Sequence, residues 1–488
     1  VDEARIQEII EKVLTRLGPD AARVSTAAAA AAPGPRPASN GTNGTSAGRS
    51  AGRYGVFPDV DSAAAAATDA FHQLQELPLE IRAKMIEAIR EVTRRNVKDI
   101  SVRTVEETEM GRVDDKIAKN LLAANRTPGL EALKPVIWTG DHGLTLMERA
   151  PYGVIGSITP TTNATETIIC NAIGMIAGGN TVVFNTHPRA KRISNHVIAM
   201  MNQAMMSVGG PESVLTVVEE PTIESANQLM DHPDIRLLVV TGGPGVVDAA
   251  MKRKKKVIAA GPGNPPVVVD ETAHIEDAAR QIVLGASLDN NVPCVVEKEI
   301  IAVKSIYDRL KQAMVREAGA YLAKDSLVSK LEKLVVNPKG GPHKDYVGKD
   351  ASYILKHVGV DVRDDPRLIL VEVDEKHPFV QEELLMPVVP LVRVHDVDEG
   401  IDMAKRVEHG FQHTAFMYST NLDNLHRMAR LMDCSIFVKN APGGAGLGLD
   451  AEGYCSYTIA SPTGEGLTYA PHFTRERRCI LKDYFRIV

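Results

Sequence analysis

Hydrophobic and polar positions divide the chain into three kinds of material. In residues 1–18, Ile6, Ile9, Ile10, Val13, Leu14 and Leu17 recur at spacings of three and four, with Arg5, Glu8, Glu11, Lys12 and Arg16 on the other face. That spacing predicts an amphipathic helix, stopped by Gly18-Pro19. Residues 19–53 are alanine, proline, glycine, serine, threonine and asparagine for the most part, with Val24 the only larger aliphatic. Such a stretch cannot bury enough apolar surface to offset its ordering entropy, so it predicts a disordered tether with a reach of about 30 Å. From Tyr54 onward the pattern is that of a globular protein.

The globular part opens on a helical block, IRAKMIEAIREVTRRNVKDISVRTVEETEM, in which periodic Ile, Met and Val alternate with charges. VIWTGDHGLTLMERAPYG then alternates apolar and polar residues about Gly-Asp-His-Gly, the mark of a hairpin. After it the apolar runs GVIGSITP, NTVVFN, VLTVVEE and IRLLVVTGG alternate with helical stretches. Continuous apolar strands separated by helices predict a doubly wound parallel sheet. A second α/β stretch begins at NPPVVVD and runs to about Gly466.

Composition narrows the class. At 488 residues, 44% of them hydrophobic, the chain has material for two to four domains. A net charge of -6 lacks the basic excess of a nucleic-acid binder. No run approaches the roughly 20 apolar residues that span a bilayer. The first residues are acidic where a secretory signal is basic, so the expectation is a cytoplasmic protein with neither nucleic-acid nor membrane partner. The five cysteines, 170, 294, 434, 455 and 479, include no CxxC pair, which argues against disulfides and structural zinc. A buried thiol is the default, as for Cys170 in an apolar run.

Cys294 differs in its setting, DNNVPCVVEKEI, a polar loop that can present one side chain from a scaffold. A thiolate is a strong nucleophile toward carbonyl carbon, though an unperturbed thiol is only about 3% ionised at pH 7. Taken alone, a cysteine beside a proline is read as a buried structural thiol.

The segments SITPTTNAT at 157–165, VVTGGPGVV at 239–247, AAGPGNPPVVVD at 259–270, DNNVPC at 289–294, EELLMP at 382–387 and SPTGEG at 461–466 change that reading. With them, in that order, the chain resembles the aldehyde dehydrogenase superfamily, and within it the coenzyme-A-acylating branch. The resemblance implies an α/β fold with a Rossmann-type cofactor domain (54–134 and 150–260), a catalytic domain (261–468) and a β-flap for oligomerisation (135–149 and 469–488). A homodimer or homotetramer follows from the flap.

The same resemblance assigns residues. Cys294 becomes the nucleophile, and Asn163 lends its side-chain amide to the oxyanion, although read locally Asn163 fits a helix cap equally well. Thr159, Pro160, Thr241, Gly242, Gly243 and Leu385 fall at cofactor-binding positions. Glu383, by itself a surface charge, matches the carboxylate that holds the nicotinamide ribose. A small-residue turn such as Thr241-Gly242-Gly243 before a helix lets a pyrophosphate reach free N–H groups. Apart from the resemblance, His413 is kept as a secondary candidate for the site lining; its partner in the HxxxH spacing, His409, has no nearby carboxylate to complete a metal set, and no metal is expected. Cys455 is placed near the substrate mouth, without chemistry, and the run Lys252–Lys256 is read as a solvated helix end.

Two departures carry information. Hydrolytic relatives have a lysine after the strand matching NTVVFN, where this chain has Asn185-Thr186-His187-Pro188; NAD is expected over NADP because acylating relatives usually take it. Hydrolytic relatives also have a water-activating glutamate where this chain has Ala260. Loss of a general base costs about 10²–10⁴-fold in rate, so the acyl-enzyme should await a second thiol, that of coenzyme A. The tethered helix resembles the targeting extensions of bacterial microcompartment enzymes. That implies shell proteins as partners, location inside a microcompartment, and acetaldehyde or propionaldehyde as substrate, propionaldehyde being favoured. The rivals are a hydrolytic dehydrogenase and a non-catalytic shell-associated scaffold.

Overall fold

The structure, a computed structural model, describes residues 8, 11, 12 and 53–488. The helix expected over 1–18 and the tether over 19–53 therefore lie outside the described residues, apart from helical Glu8, Glu11 and Lys12 and from Arg53.

Two parallel sheets and one antiparallel flap make up the rest. The strands are β1 (Val56–Phe57), β2 (Val136–Gly140), β3 (Gly143–Pro151), β4 (Val154–Ile158), β5 (Thr181–Asn185), β6 (Leu215–Val218), β7 (Ile235–Thr241) and β8 (Lys256–Ala260). There follow β9 (Pro266–Val269), β10 (Glu299–Val303), β11 (Tyr321–Leu322), β12 (Ile369–Glu372), β13 (Val388–Val394), β14 (Thr414–Tyr418), β15 (Ile436–Lys439), the short pair β16 (Ile459–Ala460) and β17 (Gly466–Leu467), and β18 (Thr474–Lys482). The first sheet runs β1-β6-β5-β4-β7-β8 and the second β11-β12-β13-β10-β9-β14-β15. Every pair in both is parallel. Parallel strands are covered on both faces, which is why β4, β5, β6 and β10 are buried at every position.

The helix Ala164–Ala177 is buried on all sides, consistent with its nearly unbroken apolar sequence. It packs on the helices Leu79–Thr108 and Val113–Arg126, and so ties the first sheet to the segment that precedes it. The expected hairpin is β2–β3, with Gly140 opposite Gly143. Gly143 has φ 110° and a Cβ there would lie 2.0 Å from the Leu481 carbonyl oxygen, so only glycine fits this turn. β18 closes the flap by pairing with β3 along its whole length.

Three elements differ from the sequence expectation. β1 and the alanine-rich helix Val60–Glu76 stand ahead of the charged helical block, where alanines gave no periodicity to read. The lysine-rich run is a solvated helix end, as expected, and continues as a turn: Lys252 caps the helix Pro244–Met251, Lys252, Lys254 and Lys256 are exposed, and Lys256 opens β8. Arg253 pairs with Asp231 at 3.0 Å and Lys255 donates to the His232 carbonyl. Strand β10 starts only at Glu299, leaving Val295 and Val296 in a turn after Cys294.

Candidate active site

Cys294 sits in a turn that joins the helix Ile275–Ala286 to β10, and the residues before it explain how it is held. Asp289, Asn290 and Asn291 are all left-handed, with φ of 50°, 56° and 64°. Asp and Asn tolerate this region better than other residues, yet each such conformation costs about 1–3 kcal/mol and persists only if its surroundings enforce it. Here they do. Asn290 donates to the Gly348 carbonyl and to Asp350 Oδ1, both at 2.9 Å, and accepts from Arg112 Nε at 2.8 Å. Asn291 donates to the carbonyls of Ala286 (2.7 Å) and Glu297 (2.8 Å). Lys298, 3% exposed in its side chain, closes the turn by donating to Asn291 O (2.7 Å), Asn291 Oδ1 (2.8 Å) and Pro293 O (3.2 Å).

Most of the expected site residues meet in one cavity of about 490 Å³. Cys294, Asn163 and Pro160 line it from the catalytic side. Thr241, Gly242, Gly243, Glu383 and Leu385 line the remainder. Thr159 and His413 are not on its wall. Thr159 is 2% exposed with its hydroxyl unpartnered, and His413 is 1% exposed behind the cavity. A Cβ on Gly263 would meet His413 Cγ at 2.9 Å and the Cys294 carbonyl at 3.0 Å, so the imidazole packs directly behind the Cys294 turn.

Asn163 occupies the N-cap position of Ala164–Ala177 but its side chain makes no cap hydrogen bond, and its buried Oδ1 has no partner. The amide is thus left to the cavity. Gly243 is the N-cap of Pro244–Met251, and a Cβ on it would meet nothing within 4 Å. The open space in front of this helix N-terminus suits a ligand phosphate. Leu385 is left-handed at φ 55°, a conformation that bulky residues rarely adopt away from functional sites.

The charges are coupled. Burial, then the Glu383 carboxylate, push the Cys294 thiol up to about 12, with Lys298 working in the opposite direction. Burial raises Glu383 to about 7 against the pull of Lys298, whose Nζ lies 3.9 Å from Oε1. That Oε1 is otherwise unpartnered. His413 is depressed to about 4 by burial and by Lys298, so its ring is neutral near pH 7, with Nδ1 2.8 Å from Thr414 Oγ1 and Nε2 free of partners.

Ala260, the last residue of β8, is 3% exposed, and the loop from Gly261 to Pro265 brings no carboxylate to the cavity. Cys455 is not at the substrate mouth. It is fully buried against Cys170, whose sulfur accepts from Thr127 Oγ1 at 3.0 Å. His409 turns away to the Gln381 carbonyl at 3.0 Å, and no metal-binding cluster occurs among the described residues.

Sequence reasoning missed Lys298, and it missed His187 and Arg189, which line the cavity just past β5 where the lysine of hydrolytic relatives is lacking. It also missed a buried cluster of Lys116, Lys119, Glu166 and Asp289, each 2% exposed or less. Only the Asp-Asn-Asn run, a known left-handed signature, pointed there.

The aldehyde dehydrogenase family profile matches residues 53–332 and 366–448. The chain belongs to the aldehyde dehydrogenase family. This aldehyde dehydrogenase is 49% identical over 439 residues to acetaldehyde dehydrogenase (acetylating) EutE of Salmonella typhimurium, covering 89% of this chain and 94% of that one. Propionaldehyde dehydrogenase of Rhodopseudomonas palustris, solved with bound coenzyme A and an acylated cysteine, superposes with a TM-score of 0.87 at 50% identity, over 88% of this chain and 98% of the other. The propionaldehyde dehydrogenase of the Clostridium phytofermentans fucose utilisation microcompartment gives 0.88 at 46% identity, over 89% and 100%. Segment 333–365, which supplies Pro342, Lys344 and Val347 to the cavity wall, lies outside the family profile.

Proposed function

We propose that this chain oxidises a short aldehyde, propionaldehyde or acetaldehyde, with NAD and coenzyme A, giving the acyl-CoA through a thioacyl-enzyme on Cys294. The observation that carries the reading is one cavity that joins a pinned cysteine and an uncommitted Asn163 amide to a wall without the water-activating glutamate.

The Gly242-Gly243 turn and the orphaned Glu383 Oε1 fit a dinucleotide's pyrophosphate and ribose, with Pro160 and Leu385 completing the same wall region and Thr159 buried behind it. A nicotinamide bound there supplies the hydride acceptor. The Cys294 thiolate adds to the aldehyde carbon, and the oxyanion so formed is held by the Asn163 amide, a donor worth about 3–4 kcal/mol of barrier. Loss of hydride from that carbon leaves a thioester on Cys294. The coenzyme A thiol, giving its proton to solvent, then attacks the thioester carbonyl as the thiolate, and the bond to Cys294 breaks to restore the Cys294 thiolate. The neutral His413 ring, with Nε2 unpartnered, lies behind this step. NAD is preferred to NADP, with His187 and Arg189 at the adenosine end.

Residues 54–134 and 150–260 then form the cofactor domain and 261–468 the catalytic domain. The flap of 135–149 and 469–488 joins subunits into a homodimer or homotetramer; its exposed Ile137, Trp138 and Ile480 (54%, 50% and 68%) support that. Residues 1–18 target the enzyme to a microcompartment shell. A second reading of that segment, folding back on its own subunit, is favoured by Lys12, which lines a groove with Asp114, Asp115, Leu284 and Asp450. Deletion of residues 1–18 separates these: loss of shell association at unchanged turnover supports targeting, and lowered turnover or stability supports fold-back.

The deciding experiment is rapid-quench NADH formation with and without coenzyme A. One NADH per site without it and sustained turnover with it supports the proposal. Sustained turnover without coenzyme A makes the enzyme hydrolytic, and no NADH at all makes the chain a scaffold.

A further inference from the structure

The helix Val113–Arg126 carries two lysines one turn apart, Lys116 and Lys119, that point into the protein and have no role in the chemistry above. Lys116 Nζ donates to Asp289 Oδ2 at 2.7 Å and to the Thr162 carbonyl at 3.2 Å. Lys119 Nζ donates to the same Asp289 oxygen at 2.7 Å and pairs with Glu166 Oε1 at 3.0 Å. The other Asp289 oxygen accepts from the Arg112 backbone N–H at 3.0 Å, and the Asp289 N–H donates to Asp115 Oδ2 at 2.9 Å.

The ends of this cluster matter. Asp289 is the first of the three left-handed residues that lead to Cys294, in the second α/β unit. Thr162 and Glu166 flank Asn163 at the start of Ala164–Ala177, in the first. We infer that Lys116, seconded by Lys119, is a positioning residue that fixes the Asn163 amide relative to the Cys294 sulfur by holding the backbone of one and the loop of the other. This rests on the proposed roles of those two residues.

Burial makes the geometry exacting. Four buried polar side chains here find their partners in one another, so neither end can drift without leaving a buried group unpaired. Burial alone would discharge Asp289 and Lys119, yet Asp289 is held below the usual carboxylate range by Lys116 and Lys119, and Lys119 above the usual lysine range by Asp289 and Glu166. A donor misplaced by about 1 Å from its oxyanion can cost about 10²-fold in rate.

The test uses the full chain with Lys116→Met and Lys116→Arg, measuring the NADH burst under single-turnover conditions. Burst amplitude counts competent sites and the rate constant reports their geometry. Lys116→Met should lower the rate constant by about 10²-fold at near-normal amplitude, with partial recovery in Lys116→Arg. In an Asn163→Ala background the same change should cost under about threefold, because the amide to be positioned is gone. A reduced amplitude at the wild-type rate constant would reveal a merely structural lysine and overturn the inference, as would full additivity with Asn163→Ala. If Lys116→Met does not fold, Asp289→Asn tests the other end with the same expectations. A wild-type enzyme with no burst would instead refute the proposed function itself.

Discussion

The Cys294 thiol, raised from 9.0 to about 12, should show itself directly in its reactivity. At pH 7.5 such a thiol is ionised to roughly 3 parts in 10⁵, about a thousandfold less than at 9.0, a cost near 4 kcal/mol. Alkylation of Cys294 by iodoacetamide, followed by peptide mass in the cofactor-free enzyme, should therefore climb about tenfold per pH unit from 7 to 10 without a plateau. Exposed Cys479 in the same digest serves as the reference for access. Lys298 is the cation that opposes the rise, and burial lowers its own pKa, so Lys298→Met should slow alkylation of Cys294 by about tenfold at the lower end of this range and by less toward pH 10. Glu383 acts the other way, and only when ionised. Since it titrates near 7, Glu383→Gln should match wild type at pH 6 and react faster at pH 9. Saturating NAD, whose nicotinamide is cationic, should accelerate alkylation as long as the ring leaves the sulfur accessible. A plateau near pH 9 in the cofactor-free wild type would refute the reasoning, because neither burial nor Glu383 would then be acting on the sulfur.

Other outcomes follow from the same geometry. Cys294→Ala should abolish aldehyde-dependent NAD reduction while NAD binding, measured by calorimetry, persists. Asn163→Ala should lower the NADH burst rate by about 10²–10³-fold with little change in thermal stability, since its side chain makes no cap bond. Glu297, fully buried, is raised by burial to about 8, so the folded state keeps a proton that the unfolded state releases above about 4.5. Stability should fall as pH rises from about 4.5 to 8, with a ceiling of roughly 5 kcal/mol, and Glu297→Gln should flatten that slope in denaturant titrations.

The fold was legible wherever burial on both faces produced unbroken apolar runs: β4, β5, β6 and β7 coincide with stretches readable by eye. The two-residue strand β1 was not, because its pairing with β6 is set by tertiary contact more than 150 residues away. In the site, Cys294, Asn163 and the Gly242-Gly243 turn could be found from motif order. Lys116 and Lys298 could not, since a lysine among helical charges, or in VVEKEI, looks solvated until packing removes the water. Cys455 was misjudged for a related reason: a glycine-rich neighbourhood suggested an exposed mouth, whereas the sulfur is enclosed against Cys170.

The pairing of β18 with β3 also bears on how the protein is made. Arg475, at the start of β18, donates from its side chain to the Pro151 carbonyl 324 residues earlier. On a ribosome that adds about 5–20 residues per second, β2 and β3 wait roughly 15 seconds to a minute for their third strand. Until it arrives, the hairpin shows its apolar face and an open edge to whatever is nearby. Both parallel sheets can form during that interval, so the flap is completed only after the second parallel sheet has been synthesised.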